Sequence, residues 1–316
     1  KILSSYSECL QKLNFQLFPT AFSFLYKLQY NKDMVQFITD IGFCVGVKNA
    51  ISKRKEKCKE KNIFLLHPLM HNKIENEKLR KELKATLLDQ EIQTFDFPSN
   101  SIVVFSAHGT EKRKIRQAEE KGIPYIETTC PVIENRLNTF SKKYNNQILF
   151  YYGKREHPET ISFLENHPEA ILLTKESFSL MKDGEKAKAI LFTQSTLSRE
   201  ETKTAAQILK EKNYVLEYIS TPCPVFDHRL NEALDFLSDK KDFCFAVLGD
   251  KSSSNTQALY SGIKEMHRDC CGYILSSVND IPKENRQSKN WYLACSTSIS
   301  EESARDIYKA LLFKSL

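Results

Sequence analysis

The sequence predicts a mostly parallel α/β protein built as three lobes that meet at one point. Three observations carry this. Short β-branched and aromatic runs alternate with longer charged, amphipathic ones from Met34 onward, the pattern of successive strand and helix units. The polar residues able to do chemistry fall almost entirely just after the apolar runs, and open parallel sheets bind ligands beyond the carboxyl ends of their strands. Three cysteines recur at similar spacing in similar settings: Cys44 in GFCVGV, Cys130 in TTCPV and Cys223 in TPCPV.

The strand-like runs, in chain order, are MVQFITD, NIFLLH, SIVVFSAH, PYIETTC, NQILFYYG, EAILLTK, AKAILFTQ, YVLEYIST, FCFAVLGD, CGYILSS and WYLACST. Helix starts are marked between them. Pro131 follows Cys130 and Pro158 follows His157, both suited to a first helical turn. Thr110 or Glu111 opens KRKIRQAEEKG. Ser198 and Glu201 make a capping box, and Ser298 with Glu301 is expected to open the last helix in the same way. The runs KRKEKCKEKN and TEKRKIRQAEEKG mix lysine with glutamate and read as solvated faces. The lobes are expected at 45–130, at 131–221, and at 34–44 joined with 222–316.

Composition narrows the function classes. The hydrophobic share is 41% and the charged share 27%, ordinary for a globular protein. A net charge of +6 is compatible with an anionic substrate. No basic stripe with interleaved aromatics marks a nucleic-acid surface, and no apolar stretch is long enough to span a bilayer. Neither a G-x-G-x-x-G fingerprint nor a phosphate-binding P-loop is present. Residues 1–33 read as an N-terminal extension outside the core. Read instead as a targeting segment, they point to a plastid-type location in place of the cytoplasm.

Nine cysteines in 316 residues are not a small secreted scaffold, and a reducing compartment fits them. Cys58, Cys244, Cys270, Cys271 and Cys295 share no setting and read as small buried apolar residues or free thiols. Cys295, in YLACSTS, is the one rival for a fourth ligand. Three thiolates from three lobes suit an iron–sulfur cluster with one iron open to substrate. Such a corner is a Lewis acid as well as an electron carrier.

The ordered set GFCVGV, HPLMHN, FSAHGT, TTCPV, HPET, TQSTLS, Cys223 and SSSN resembles the 4-hydroxy-3-methylbut-2-enyl diphosphate reductase (LytB) family from about Met34 to the C-terminus. The resemblance implies a trefoil of three pseudo-symmetric α/β lobes around a central 4Fe–4S cluster. It implies reductive removal of the allylic hydroxyl, giving isopentenyl and dimethylallyl diphosphates, with electrons from a ferredoxin or flavodoxin. By position, Cys44, Cys130 and Cys223 are the cluster ligands. His71, His108, Ser253, Ser254, Asn255 and Ser298 form the diphosphate site, and His157, Glu159 and Ser195 surround the hydroxyl. A carboxyl group in a closed, water-poor cavity holds its proton to higher pH, which makes Glu159 the expected donor. Ser195 relays that proton or holds the hydroxyl, and His157 gives a proton or a hydrogen bond.

Bland readings stand beside these. Glu159 after Pro158 suits a helix start by charge alone, and SSSN suits ordinary N-capping. His67 reads as a second layer behind the site, and His167 and His267 as surface residues. HPLMHN offers two histidines but no third ligand for zinc. The chain departs from the family at Ser195, where threonine is usual, and at Ile41, where arginine is usual. Phe226, Asp227 and His228 follow the third cysteine where smaller or hydroxyl residues and an asparagine are usual. An inward Phe226 narrows the substrate cavity. These departures keep open a divergent paralogue that retains the cluster as a sensor or binding protein, or takes another allylic diphosphate.

Overall fold

The computed structural model describes residues 34–58, 60–107, 109–283 and 290–314. The extension expected over 1–33 lies outside them. Strand β1 (Val35–Phe37) leads to Cys44 and into α1 (Val45–Lys57), followed by β2 (Asn62–Leu65), α2 (Lys73–Glu82), β3 (Thr86–Leu87), β4 (Ser101–Val104), α3 (Lys112–Glu120) and β5 (Tyr125–Ile126). Cys130 then opens α4 (Pro131–Lys143), and the chain continues through β6 (Ile148–Tyr152), α5 (Pro158–Asn166), β7 (Ile171–Leu173), β8 (Lys188–Thr193), α6 (Arg199–Glu211) and β9 (Val215–Ile219). Cys223 opens α7 (Pro224–Leu237), followed by β10 (Cys244–Leu248), α8 (Ser254–Met266), β11 (Cys271–Leu275), β12 (Trp291–Cys295) and α9 (Glu301–Lys314).

The strands form three four-stranded sheets, ordered β3-β2-β4-β5, β7-β6-β8-β9 and β11-β10-β12-β1. Every pairing among them is parallel. The three orders are one pattern. In each sheet the first and third strands sit side by side at the centre, and the fourth forms an edge. The third sheet takes its fourth strand from the start of the described chain, since β1 pairs with β12. That swap closes the ring of lobes and makes the trefoil α/β architecture.

Period-two alternation explains the cores. In β10, Cys244, Ala246 and Leu248 face one cluster, while Phe245 and Val247 face the other. In β4 and the residue after it, Ile102 and Val104 oppose Val103 and Phe105 in the same way, and β8 splits Ala189 and Leu191 from Ile190 and Phe192. Helices cover both faces of a parallel sheet, so its strands are apolar on both sides. That is why they read as unbroken apolar runs. Strand β3 escaped that reading because it is two residues long and both are exposed.

Three expectations are corrected here. The last helix is capped by Ser300, whose Oγ accepts from the Ser303 N–H at 3.1 Å, and not by Ser298. The lysine-rich runs are not wholly solvated. Arg54 is fully buried, with Nη2 donating to Thr128 Oγ1 at 3.3 Å, and burial lowers its pKa to about 9. Lys114 is buried beside Glu111, at 3.0 Å. His167 and His267 are half-buried, packed edge-on to Phe140 and Phe243.

Candidate iron–sulfur and substrate site

Cys44, Cys130 and Cys223 occupy the same local position three times. Each is the N-cap of the helix that follows, with extended backbone angles. Each N–H donates to a carbonyl in the loop after a lobe's third strand: Cys44 to Thr297 at 3.3 Å, Cys130 to Ala107 at 3.0 Å and Cys223 to Ser195 at 2.8 Å. The edge strand of each sheet thus delivers its cysteine to the mouth of that sheet. Thiols at helix starts meet unpaired N–H groups and the positive end of the dipole.

Cys130 and Cys44 face the same space, and Cys223 is near enough to feel the charge of both. A methyl group on Gly46 would overlap Cys130 Sγ and lie 3.8 Å from Cys44 Sγ, so glycine there keeps the space between them clear. Burial raises the Cys130 thiol, the N–H groups of Ile133 and Val132 oppose that, and Cys44 adds to the rise. Burial also raises Cys223, against the N–H groups of Phe226 and Val225, with Cys130 and Cys44 contributing. Three soft donors at three helix starts, two of them with backbone N–H groups aimed at the sulfur, fit a cluster held by three thiolates. Cys295 does not join them. It is fully buried in the third lobe's core, and burial pushes its thiol up to about 12.

Glu159 lies in the first turn of α5 and is 4% exposed. Ser195 donates to it twice, from N–H at 3.0 Å and from Oγ at 2.6 Å to Oε2. Arg136 Nη1 donates to Oε1 at 2.9 Å. Every one of these contacts is a donor's, which is the bonding set of a carboxylate. Arg136 also donates to the Thr193 carbonyl and, at 3.4 Å, to Ser220 Oγ. Its guanidinium lies 4.9 Å from the Phe192 ring centre.

Sequence reasoning missed Arg136. The available signal was its position: Ile133, Arg136 and Phe140 share the buried stripe of α4, and an arginine on an apolar stripe needs a buried partner.

His157 caps α5, its Nδ1 accepting the Glu159 N–H at 3.2 Å. That bond assigns the ring proton to Nε2. Burial, with help from His71 and Lys154, lowers its pKa to about 3. The His71 ring lies 5.4 Å away, centre to centre, and burial lowers it too, against the pull of Asp250. Both rings are neutral at ordinary pH. His71, His157 and Ser254 line one cavity of about 350 Å³, together with Lys154, Arg155 and Ser252.

Ser253 caps α8, accepting the Thr256 N–H at 3.3 Å. Asn255 Nδ2 donates to Thr297 Oγ1 at 2.6 Å, so it reaches the loop that receives the Cys44 N–H. Ser298 Oγ lies 3.3 Å from Ser296 Oγ in the same loop. His108 falls outside the described residues. His67 pairs instead with Lys114 Nζ at 3.0 Å. Among the described residues, the grouping with metal-ligand spacing is Asp40, His228 and Glu232 on the outer face, and it includes neither histidine of HPLMHN.

Comparison with known proteins agrees with this geometry. The LytB protein family model matches residues 35–312. The chain belongs to the LytB family. It is 31% identical over 290 residues to the 4-hydroxy-3-methylbut-2-enyl diphosphate reductase of Buchnera aphidicola subsp. Schizaphis graminum, covering 85% of this chain and 87% of that one. The reductase of that name from Helicobacter pylori is 27% identical over 250 residues, covering 78% and 87%. The fold matches the solved E-1-hydroxy-2-methyl-but-2-enyl-4-diphosphate reductase of Plasmodium falciparum with a TM-score of 0.77 at 24% identity, covering 88% and 87%.

The departures from the LytB pattern find physical places. Phe226 is 1% exposed and packs with Ile38, Leu237, Phe243 and Phe245, so it fills the third lobe's core and leaves the substrate cavity alone. Asp227 meets Arg199 of the second lobe at 2.6 Å. His228 is on the surface beside Glu232, at 3.3 Å. Arg229 is buried and donates to the carbonyls of Ser296 at 2.7 Å and Gly42 at 2.8 Å, tying the Cys44 loop to the end of β12.

Proposed function

We propose that this LytB-family chain reduces 4-hydroxy-3-methylbut-2-enyl diphosphate to isopentenyl and dimethylallyl diphosphates. The reaction removes the allylic hydroxyl as water and takes up two electrons and two protons. The supporting observation is that three helix-capping cysteines lie close to one another and to the Glu159–Ser195 pair, with the Cys223 N–H bonded to the Ser195 carbonyl. Cys44, Cys130 and Cys223 would hold a 4Fe–4S cluster by three thiolates. Bound there, it supplies electrons and a Lewis-acidic iron position. The electrons come from a ferredoxin or flavodoxin. The lobes divide at the cysteines, as 45–130, 131–221 and 34–44 with 222–316.

The chain's own residues bind, orient and move protons. His71, His108, Ser253, Ser254, Asn255 and Ser298 take the diphosphate by hydrogen bonds, as donors gathered at strand ends and at one helix start. Neutral His157 donates from Nε2. Ser195 Oγ, 2.6 Å from Glu159 Oε2, holds the substrate hydroxyl and passes to it a proton loaded on Glu159. Arg136 fixes that carboxyl group in one orientation throughout.

The deciding experiment pairs the parent with Glu159→Gln, both purified and assayed without oxygen, with a strong reductant and 4-hydroxy-3-methylbut-2-enyl diphosphate. The variant is expected to keep the parent's iron and lose about 10²-fold in kcat. A parent with full iron and no turnover leaves the cluster and removes the activity, which is the sensor reading. Equal turnover in both proteins removes Glu159 from the proton path.

A further inference from the structure

We propose that Lys154 captures the diphosphate end of the substrate at the mouth of the cavity, with Arg155 adding to its field. This rests on the reading of the cavity as the diphosphate site. Lys154 stands where two spaces join. It and Ser254 line both the cavity of about 350 Å³ that holds His71 and His157 and a wider cleft of about 680 Å³ between the second and third lobes. A substrate entering through the cleft passes Lys154 before it reaches the histidines.

The charge is needed there. A diphosphate monoester carries more than two negative charges near neutral pH. His71 and His157 are both held neutral, and the serines and Asn255 carry no charge. Asp250 behind His71 is already committed to the N–H groups of Lys73 at 2.9 Å and Ser252 at 2.8 Å. The cations on the cavity wall are Lys154 and Arg155, against one anion, Glu156. Lys154 forms no ion pair among the described residues. Elsewhere in the cleft, by contrast, Lys175 is paired with Glu201 at 3.5 Å. The field of Lys154 reaches into the cavity, since it helps to hold His157 neutral.

The backbone that carries it is fixed from behind. The Lys154 N–H donates to Gln194 Oε1 at 3.0 Å. Gln194 is fully buried, and its Nε2 donates to Thr196 Oγ1 at 2.5 Å. Gly153 lies so close that an added Cβ would meet the Tyr151 ring at 2.9 Å and Gln194 Cβ at 3.0 Å. The TQS motif therefore does two things. Ser195 faces Glu159, and Gln194 sets the position of the residue that meets the incoming anion. The side chain stays exposed, as suits capture rather than chemistry, and its effect is screened by salt.

The test uses the cluster-loaded protein and two readouts. Inorganic pyrophosphate binding is measured by calorimetry at low and high ionic strength, and KM is measured with the diphosphate substrate over the same range. Lys154→Gln is expected to weaken pyrophosphate and raise KM by roughly three- to five-fold at low salt, with kcat changing much less. Its dependence on salt is expected to be shallower than the parent's. Lys154→Glu moves further in the same direction, Lys154→Arg restores the parent's values, and Lys203→Gln on the outer face of α6 matches the parent. Pyrophosphate affinity and salt slope unchanged in Lys154→Gln overturn this inference alone. A parent that takes no pyrophosphate overturns it together with the diphosphate reading of the cavity.

Discussion

The cysteine turns and the polar loops occupy corresponding places in the three lobes, yet only the turns are uniform. Each cysteine caps a helix from an extended backbone and gives its N–H to a carbonyl after a third strand. The loops around them have diverged. The second lobe carries Glu159, Ser195 and Arg136, linked by hydrogen bonds, while the third offers hydroxyls and an amide on α8 and its facing loop. A metal centre on a pseudo-threefold axis asks for the same donor from every lobe. An extended substrate with a hydroxyl at one end and a diphosphate at the other asks for different groups in each direction. On the proposed function, symmetry is kept where the ligand is symmetric and lost where it is not.

The largest test of this contrast separates a cysteine on the axis from one off it. Cys130→Ser is expected to lose nearly all bound iron after anaerobic reconstitution, whereas Cys295→Ser keeps the parent's iron per chain. Equal and negligible iron in the parent and both variants makes the three turns a structural repeat only.

A second test concerns the asymmetric side. Arg136 and Glu159 are 5% and 4% exposed at the side chain, so Arg136→Met strands a buried carboxylate and is expected to cost about 3 kcal/mol in urea unfolding. Combined with Glu159→Gln, the loss is expected to fall well below the sum of the two single variants. Strict additivity breaks the claim that they act as one unit.

The smallest effect sharpens the account of His157. Burial lowers its pKa from 6.5 to about 3, so the unfolded chain binds a proton that the folded protein refuses. The stability it protects is complete above pH 6.5 and lost as pH falls toward 3. Between pH 7 and pH 5 that loss is about 2 kcal/mol. His157→Asn keeps an N-cap acceptor and removes this share of the slope, leaving that of His67, His71 and His167, which burial lowers in the same direction. Superimposed pH profiles for parent and variant count against a neutral buried ring.

Much of this architecture was legible because it is written locally. Strands buried on both faces read as apolar runs, and Pro131 and Pro158 mark helix starts that the structure places at those residues. The Ser198–Glu201 capping box is present. Burial of charge was not legible. Arg54 lies within a polar stretch, and although Arg136 sits on an apolar stripe, the partners that bury the two, Thr128, Thr193, Ser220 and Glu159, are all distant in the chain. Phe226 misled for the same reason: it lies in the first turn after Cys223, yet its neighbours Ile38, Phe243 and Phe245 are distant in the chain and place it in the third lobe's core.

The sequence by itself determined the three-lobed α/β class and the three cysteines that cap the helices, because periodicity, capping and motif order are properties of nearby residues. Only the tertiary structure decided that Arg136 holds Glu159, that Phe226 belongs to the core, and that Lys154 stands at the junction of two cavities. Each of those depends on which surfaces meet when separate lobes pack, and the free energy of a buried charge or ring is set by those neighbours.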